Sequence, residues 1–256
     1  MYAQRVQDAT SDTILHIEGL TVSFDGFKAL NDLDFFMDVG ELRVIIGPNG
    51  AGKTTLLDTI TGRVRPTEGR VFFNGVSDVA TLSENAIVNL GIGRKFQTPT
   101  IYVNHTVFEN LALSLPKDKG VIRTIMSMLG SHDEDRIAEI MNTIGLADKG
   151  DDPAGLLSHG EKQWLEIGML IAQDPQLLLL DEPVAGMTDY ETQGTVDLIH
   201  SLADGHSILV IEHDMEFVEQ IARKVTVLHE GSSLCEGTMD EVKADPRVIE
   251  VYLGRG

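Results

Sequence analysis

Short apolar runs alternate along this chain with longer stretches of helical spacing. Arg43-Val-Ile-Ile-Gly47 is followed by a helical pattern over Lys53 to Thr61, which predicts a β-loop-α unit on a parallel sheet. Leu177 to Asp181 is apolar on both faces and ends in acid, as a buried central strand delivering carboxylates at its carboxyl end would be. Ser207 to Glu212 is a third run of this kind. Leu15 to Ser23 and Leu33 to Val39 alternate apolar with polar residues, and Gly69 to Asn74 does so more weakly, so a small antiparallel sheet is predicted beside the core. From about Thr98 to Asp152 the pattern turns helical, with Val107, Leu111 and Leu115, then Ile137, Ile140, Met141 and Ile144, at helical spacing. The Met-rich stretch Ile122 to Leu129 reads as a core face rather than a soft partner surface. With no internal repeat or long linker, residues 1–256 read as one α/β domain. Its core and β subdomain cover about 13–97 and 165–256, and a helical subdomain about 98–164.

Composition narrows the classes. At 256 residues and 42% hydrophobic, the chain can bury a substantial core. Its longest apolar run, around Leu177 to Leu180, is far short of the roughly 20 residues that cross a bilayer. The opening residues carry Asp8 and Asp12 and no apolar export core, so a cytoplasmic protein is expected. A lone cysteine, Cys235, excludes an internal disulfide and reads as structural. A net charge of −20 repels a polyphosphate backbone, which argues against nucleic-acid binding and confines any nucleotide site to a local feature.

That feature is Gly47-Pro-Asn-Gly-Ala-Gly-Lys53-Thr54-Thr55, which fits G-x-x-x-x-G-K-[ST] after a predicted strand and at the start of a predicted helix. Asn49, Gly50, Ala51, Gly52, Lys53, Thr54 and Thr55 are the candidate ATP-binding residues. The amides of 50–55 would point at phosphate oxygens and the helix start adds favourable partial charge. Lys53 would neutralise the β- and γ-phosphates and Thr54 would hold Mg²⁺. Asp181, at the end of the second apolar run, is a hard oxygen ligand for the same ion, and Glu182 beside it is a candidate general base.

Three more segments narrow the family: Leu157-Ser158-His159-Gly160-Glu161-Lys162-Gln163, Gln97 in Arg94-Lys95-Phe96-Gln97-Thr98-Pro99, and His213 in Val210-Ile211-Glu212-His213-Asp214. With the phosphate loop and acid pair, the chain resembles an ATP-binding cassette (ABC) protein over almost its full length. The resemblance implies a P-loop, RecA-like ATPase core that pairs head to tail with a second ATPase subunit, in a homo- or heterodimer. Ser158 and the Gly160 amide would then grip the γ-phosphate of the partner's ATP. Gln97 would sense Mg²⁺ and the attacking water, and His213 would contact the γ-phosphate and orient Glu182. Phe24 stands where the family stacks a ring on adenine; Phe27 is the other candidate, and core packing is the competing use of Phe24.

The departures are specific. His159 and Glu161 replace glycine and glutamine of the usual Leu-Ser-Gly-Gly-Gln. A carboxylate near a triphosphate disfavours ATP unless Lys162 or Mg²⁺ offsets it. Thr188 stands where Ser-Ala-Leu-Asp has its aspartate, with Asp189 one later. Together with Lys-Gln-Trp-Leu-Glu-Ile-Gly, Glu-Pro-Val-Ala-Gly-Met-Thr and Val-Ile-Glu-His-Asp-Met-Glu-Phe-Val, these residues look like the urea-transporter ATPases, which are close to the branched-chain amino acid importer ATPases. That likeness implies two membrane permease subunits, an extracytoplasmic solute-binding protein, and a place on the inner face of the plasma membrane held through the permeases.

Overall fold

The computed structural model describes residues 12–75, 77–97, 100–116 and 130–253. Thr98, Pro99, the Ile122 to Leu129 stretch and Asp8 lie outside the described residues. The chain begins with β1 (Thr13–Phe24), β2 (Phe27–Asp38) and β3 (Leu42–Ile46), followed by helix α1 (Lys53–Ile60). Next come β4 (Glu68–Phe73), β5 (Ser77–Asp78), α2 (Glu84–Asn89) and β6 (Ile92–Lys95). The mainly helical stretch holds α3 (Val107–Ser114), α4 (Ser131–Thr143) and α5 (His159–Ile171). The chain then returns to β7 (Leu177–Asp181), α6 (Asp189–Ala203), β8 (Ser207–Ile211), α7 (Met215–Ile221), β9 (Lys224–His229) and β10 (Ser232–Gly237). Helices α8 (Met239–Ala244) and α9 (Pro246–Leu253) follow.

Two sheets form. One is antiparallel, in the order β2-β1-β4-β5; the other has six strands in the order β10-β9-β3-β8-β7-β6. In the second, all neighbours are parallel except the β9–β10 pair. Its central strands are buried on both faces and their side chains sort by alternation. Leu177, Leu179, Leu209 and Ile211 pack toward α1 and the antiparallel sheet, with Leu56, Leu57, Ile17 and Phe35. Leu178, Leu180, Ile208 and Val210 pack toward the helices, with Leu111, Ile140, Leu165, Ile199 and Phe217. The predicted helical spacing is realised: Val107, Leu111, Leu115, Ile137, Ile140 and Ile144 all lie in that second cluster.

Strand order places the site. Because β3, β8, β7 and β6 are neighbours and run the same way, their carboxyl ends share one edge of the sheet. That edge carries, in turn, the loop from Gly47, then Glu212 and His213, then Asp181 and Glu182, then Phe96 and Gln97. Residues more than a hundred positions apart in sequence are brought together by register alone. The backbone N–H of Glu182 donates to Ile211 O at 2.9 Å, and that of Glu212 to Ile45 O at 3.3 Å, which tie the three strand ends to one another.

Candidate nucleotide site

The loop after β3 turns sharply into α1. Gly52 sits at φ +101°, and a Cβ there would lie 2.5 Å from Ala29 O and 2.8 Å from Leu30 Cδ2, so both the turn and the close passage of β2 require glycine. No side chain caps α1, which leaves its first-turn N–H groups free to face an anion. Lys53 Nζ folds back into the loop and donates to Gly47 O at 2.6 Å and Pro48 O at 3.1 Å. Burial lowers the Lys53 pKa, opposed by the charges of Glu182, Asp181 and Glu212. A triphosphate would replace two weak carbonyl acceptors by anionic oxygens, so Lys53 is poised for it.

Two adjoining cavities meet at Thr54 and Gln97. The first, about 440 Å³, is lined by Phe24, Phe27, the loop residues Asn49 to Thr55, Gln97 and Glu182. Phe24 is 49% exposed and Phe27 67%, so neither ring serves the core, and both stand at the mouth where a base could stack. The second, about 490 Å³, is lined by Thr54, Asp58, Arg94, Gln97 and Asp181 among others, which gathers all three predicted metal-binding residues. Asp181 Oδ2 accepts from Arg94 Nη2 at 3.1 Å, while its buried Oδ1 has no hydrogen-bond partner. An orphaned buried carboxylate oxygen beside a threonine hydroxyl and an amide suits a hard cation such as Mg²⁺, directly or through water. Burial pushes the Asp181 carboxyl up, and Arg94 opposes the rise.

Glu182 is held from both sides. Gln97 Nε2 donates to Oε2 at 2.7 Å, and His213 Nδ1 lies 3.5 Å from Oε1. Its backbone is left-handed, at φ +46°, an uncommon state for a non-glycine residue and one that recurs at functional sites. Glu212 is only 1% exposed, and burial raises its pKa to about 7. It lies 3.8 Å from the same His213 nitrogen.

Ser158 and Gly160 line neither cavity. They start α5, where Ser158 Oγ accepts from Glu161 N–H at 3.2 Å and Glu161 Oε2 accepts from Ser158 N–H at 2.9 Å, a reciprocal cap. A family model described as ABC transporter matches residues 30–185, and one described as branched-chain amino acid ATP-binding cassette transporter matches 234–256.

The chain belongs to the ABC transporter ATP-binding family.

As a member it is an ATPase. It is 33% identical over 253 residues to the high-affinity branched-chain amino acid transport ATP-binding protein LivG of Escherichia coli K12, covering 95% of this chain and 99% of LivG. The ADP conformation of MJ1267, an ATP-binding cassette of an ABC transporter, superposes with TM-score 0.81 at 30% identity, covering 95% and 99% of the two chains. The cbiO1 protein of Clostridium perfringens, part of the ABC transporter complex cbiONQ, superposes with TM-score 0.79 at 27% identity, covering 96% and 97%.

Within this cassette the departures acquire partners. His159 Nε2 lies 3.1 Å from Ala185 O, joining the start of α5 to the segment after the acid pair. Glu161 is paired with Lys149, not Lys162, and its pKa falls because Lys149 and Ser158 bond it against the cost of burial. Thr188 caps α6 by accepting from Glu191 N–H at 3.3 Å. The sequence reading gave no role to Asp58, Arg94, Lys95 or Glu166. Arg94 bridges Asp58, at 2.6 Å, to Asp181 and lies 4.9 Å above the Phe96 ring. Lys95 is fully buried, donating to Phe96 O at 3.0 Å, and Glu166 accepts from Thr100 N–H at 3.1 Å. The one signal for these was charge inside apolar patterns, as in Ile92-Gly-Arg-Lys95.

Among the described residues no helix is long and apolar enough to cross a membrane.

Proposed function

We propose that this subunit is the ATP-hydrolysing motor of a branched-chain amino acid importer, working as one half of a pair of ATPase subunits. The observation that carries the chemistry is Glu182 bridged by Gln97 and His213 beside the phosphate-loop cavity. Adenine stacks on Phe24 and the triphosphate lies along the amides of 50–55 with Lys53 on its β- and γ-oxygens, while Thr54, Gln97 and Asp181 would hold Mg²⁺. When bound, Mg²⁺ neutralises phosphate charge. Glu182 accepts a proton from a water that attacks the γ-phosphorus; the bond to the bridging oxygen breaks, giving ADP and inorganic phosphate. His213 and Gln97 fix the carboxylate and the water. Ser158 and the Gly160 amide face the ATP held by the other subunit, in keeping with their position outside this subunit's own cavity.

Closure of the pair would drive α3 and the residues leading into it against membrane permease subunits on the inner face of the membrane, with an extracytoplasmic solute-binding protein supplying solute. The solute class is supported by the C-terminal match at 234–256 and by LivG. The urea reading drawn from Leu157 to Gly168, Glu182 to Thr188 and Val210 to Val218 has no such support. Since the solute never touches this subunit, uptake by cells decides. Deleting the subunit abolishes uptake of dilute labelled leucine and spares urea; loss of urea uptake alone restores the urea reading, and loss of neither overturns the importer role.

The adenine contact has its own test. Phe24→Ala weakens ATP binding about 10-fold, the lower part of the roughly 1–3 kcal/mol that base stacking contributes. Phe27→Ala weakens it less, and neither change shifts the melting temperature appreciably, because both rings are exposed. Calorimetric titration with ATP checks this; a larger loss for Phe27→Ala transfers the role.

A further inference from the structure

The two candidate γ-phosphate donors at the start of α5 are already occupied. Ser158 Oγ donates to Glu191 Oε1 at 2.8 Å, and the Gly160 backbone N–H donates to the same oxygen at 3.1 Å. The other oxygen, Oε2, is held by Thr188, through its N–H at 3.0 Å and its hydroxyl at 3.0 Å. The carboxylate is thus anchored by its own helix start while one oxygen reaches across to a second helix. Gly160 makes the approach possible: a Cβ there would lie 2.5 Å from Glu191 Cδ and 2.6 Å from Oε1. The bonds from Thr188, Ser158 and Gly160 hold the Glu191 carboxyl below its usual range, so it is anionic at neutral pH.

An anionic oxygen accepting from a serine hydroxyl and a backbone amide at a helix start presents the same chemistry as a terminal phosphate oxygen. We infer that Glu191 is an internal stand-in for the γ-phosphate of the partner's ATP, which that phosphate must displace before the two subunits close. The inference rests on the reading that Ser158 and Gly160 face the partner's nucleotide. Two anions cannot share these donors at hydrogen-bond distance without strong repulsion. Glu191 therefore sets the ATP threshold for pairing, and ADP, which lacks the displacing group, leaves it in place.

The experiment uses the full chain carrying Glu182→Gln, so that hydrolysis does not disperse pairs, with the second ATPase subunit added if the chain alone does not pair. Solution mass by light scattering is followed as Mg-ATP is raised. Glu191→Gln keeps the side-chain length and an oxygen for the Thr188 N–H while removing the charge, and lowers the ATP concentration for half-pairing about 10-fold, on the scale of one charge-assisted hydrogen bond. Asp189→Asn, which removes an equal charge from an exposed neighbour, leaves the threshold unchanged. An unchanged threshold for Glu191→Gln, or an equal shift for Asp189→Asn, overturns the role of Glu191 while the shared site stands. No pairing by any of these proteins at saturating ATP overturns the shared site itself and the inference with it. Should the glutamine variant unfold, Glu191→Asp carries the same test: its shorter arm withdraws the carboxylate from Ser158, and it too must lower the threshold.

Discussion

Replacing Glu182 with glutamine lowers ATP turnover by about 10²–10⁴-fold, the range a positioned general base contributes, and leaves ATP binding intact. The substitution is close to isosteric, so Gln97 and His213 still frame the side chain from 2.7 and 3.5 Å. What is lost is the ability to take a proton from the attacking water. The same change removes a negative charge next to the γ-phosphate, so affinity for ATP rises slightly, in the direction opposite to turnover. Bound, unhydrolysed ATP then holds the subunits together, and pairs accumulate. Single-turnover hydrolysis measured beside ATP binding separates the effects. A variant that still turns over within a few-fold of the original removes Glu182 from the chemistry.

Lys53→Ala has the second large effect, on binding. Within the fold Nζ rests on two loop carbonyls, so its loss costs the fold about 1 kcal/mol or less. Against a triphosphate the same group faces anionic oxygens in a buried position, where losing one partner of a charge pair costs about 2–5 kcal/mol. ATP affinity should fall at least about 30-fold while the melting temperature stays near that of the unaltered protein. Equal losses of affinity and of stability would mean that Lys53 serves the loop rather than the nucleotide.

What is legible in the sequence depends on the range of the interactions. The phosphate loop, the strand ending at Asp181 and the run ending at Glu212 are contiguous, and apolar periodicity with glycine spacing was enough to place them. The Asp58–Arg94–Asp181 group is assembled from α1, β6 and β7, so no window of sequence contains it. Strand β6 escaped notice because Arg94 and Lys95 look like surface residues, although both are buried and bonded. Glu166 is likewise a charged residue buried on α5. Strand β10 is half exposed along Ser232–Gly237 and lacks alternation, so periodicity had nothing to report. Glu161 was read against its sequence neighbour Lys162, but the cation that meets it is Lys149, from the short turn that follows α4. The hold of Glu191 on Ser158 comes from the packing of α5 beside α6, which no window of sequence contains.

On the proposed function, one subunit's loop and the other's Ser158–Gly160 segment enclose a single ATP. Mixing a tagged Lys53→Ala chain, whose own loop no longer holds ATP, with untagged wild-type chain or the second ATPase subunit tests this directly, using ATP with a photoreactive group on its γ-phosphate. Label is expected on the tagged chain at the Ser158–Gly160 segment, appearing only when the loop-competent partner is present. Label confined to the partner that binds the ATP, with the tagged chain unmarked at every ratio, would contradict it.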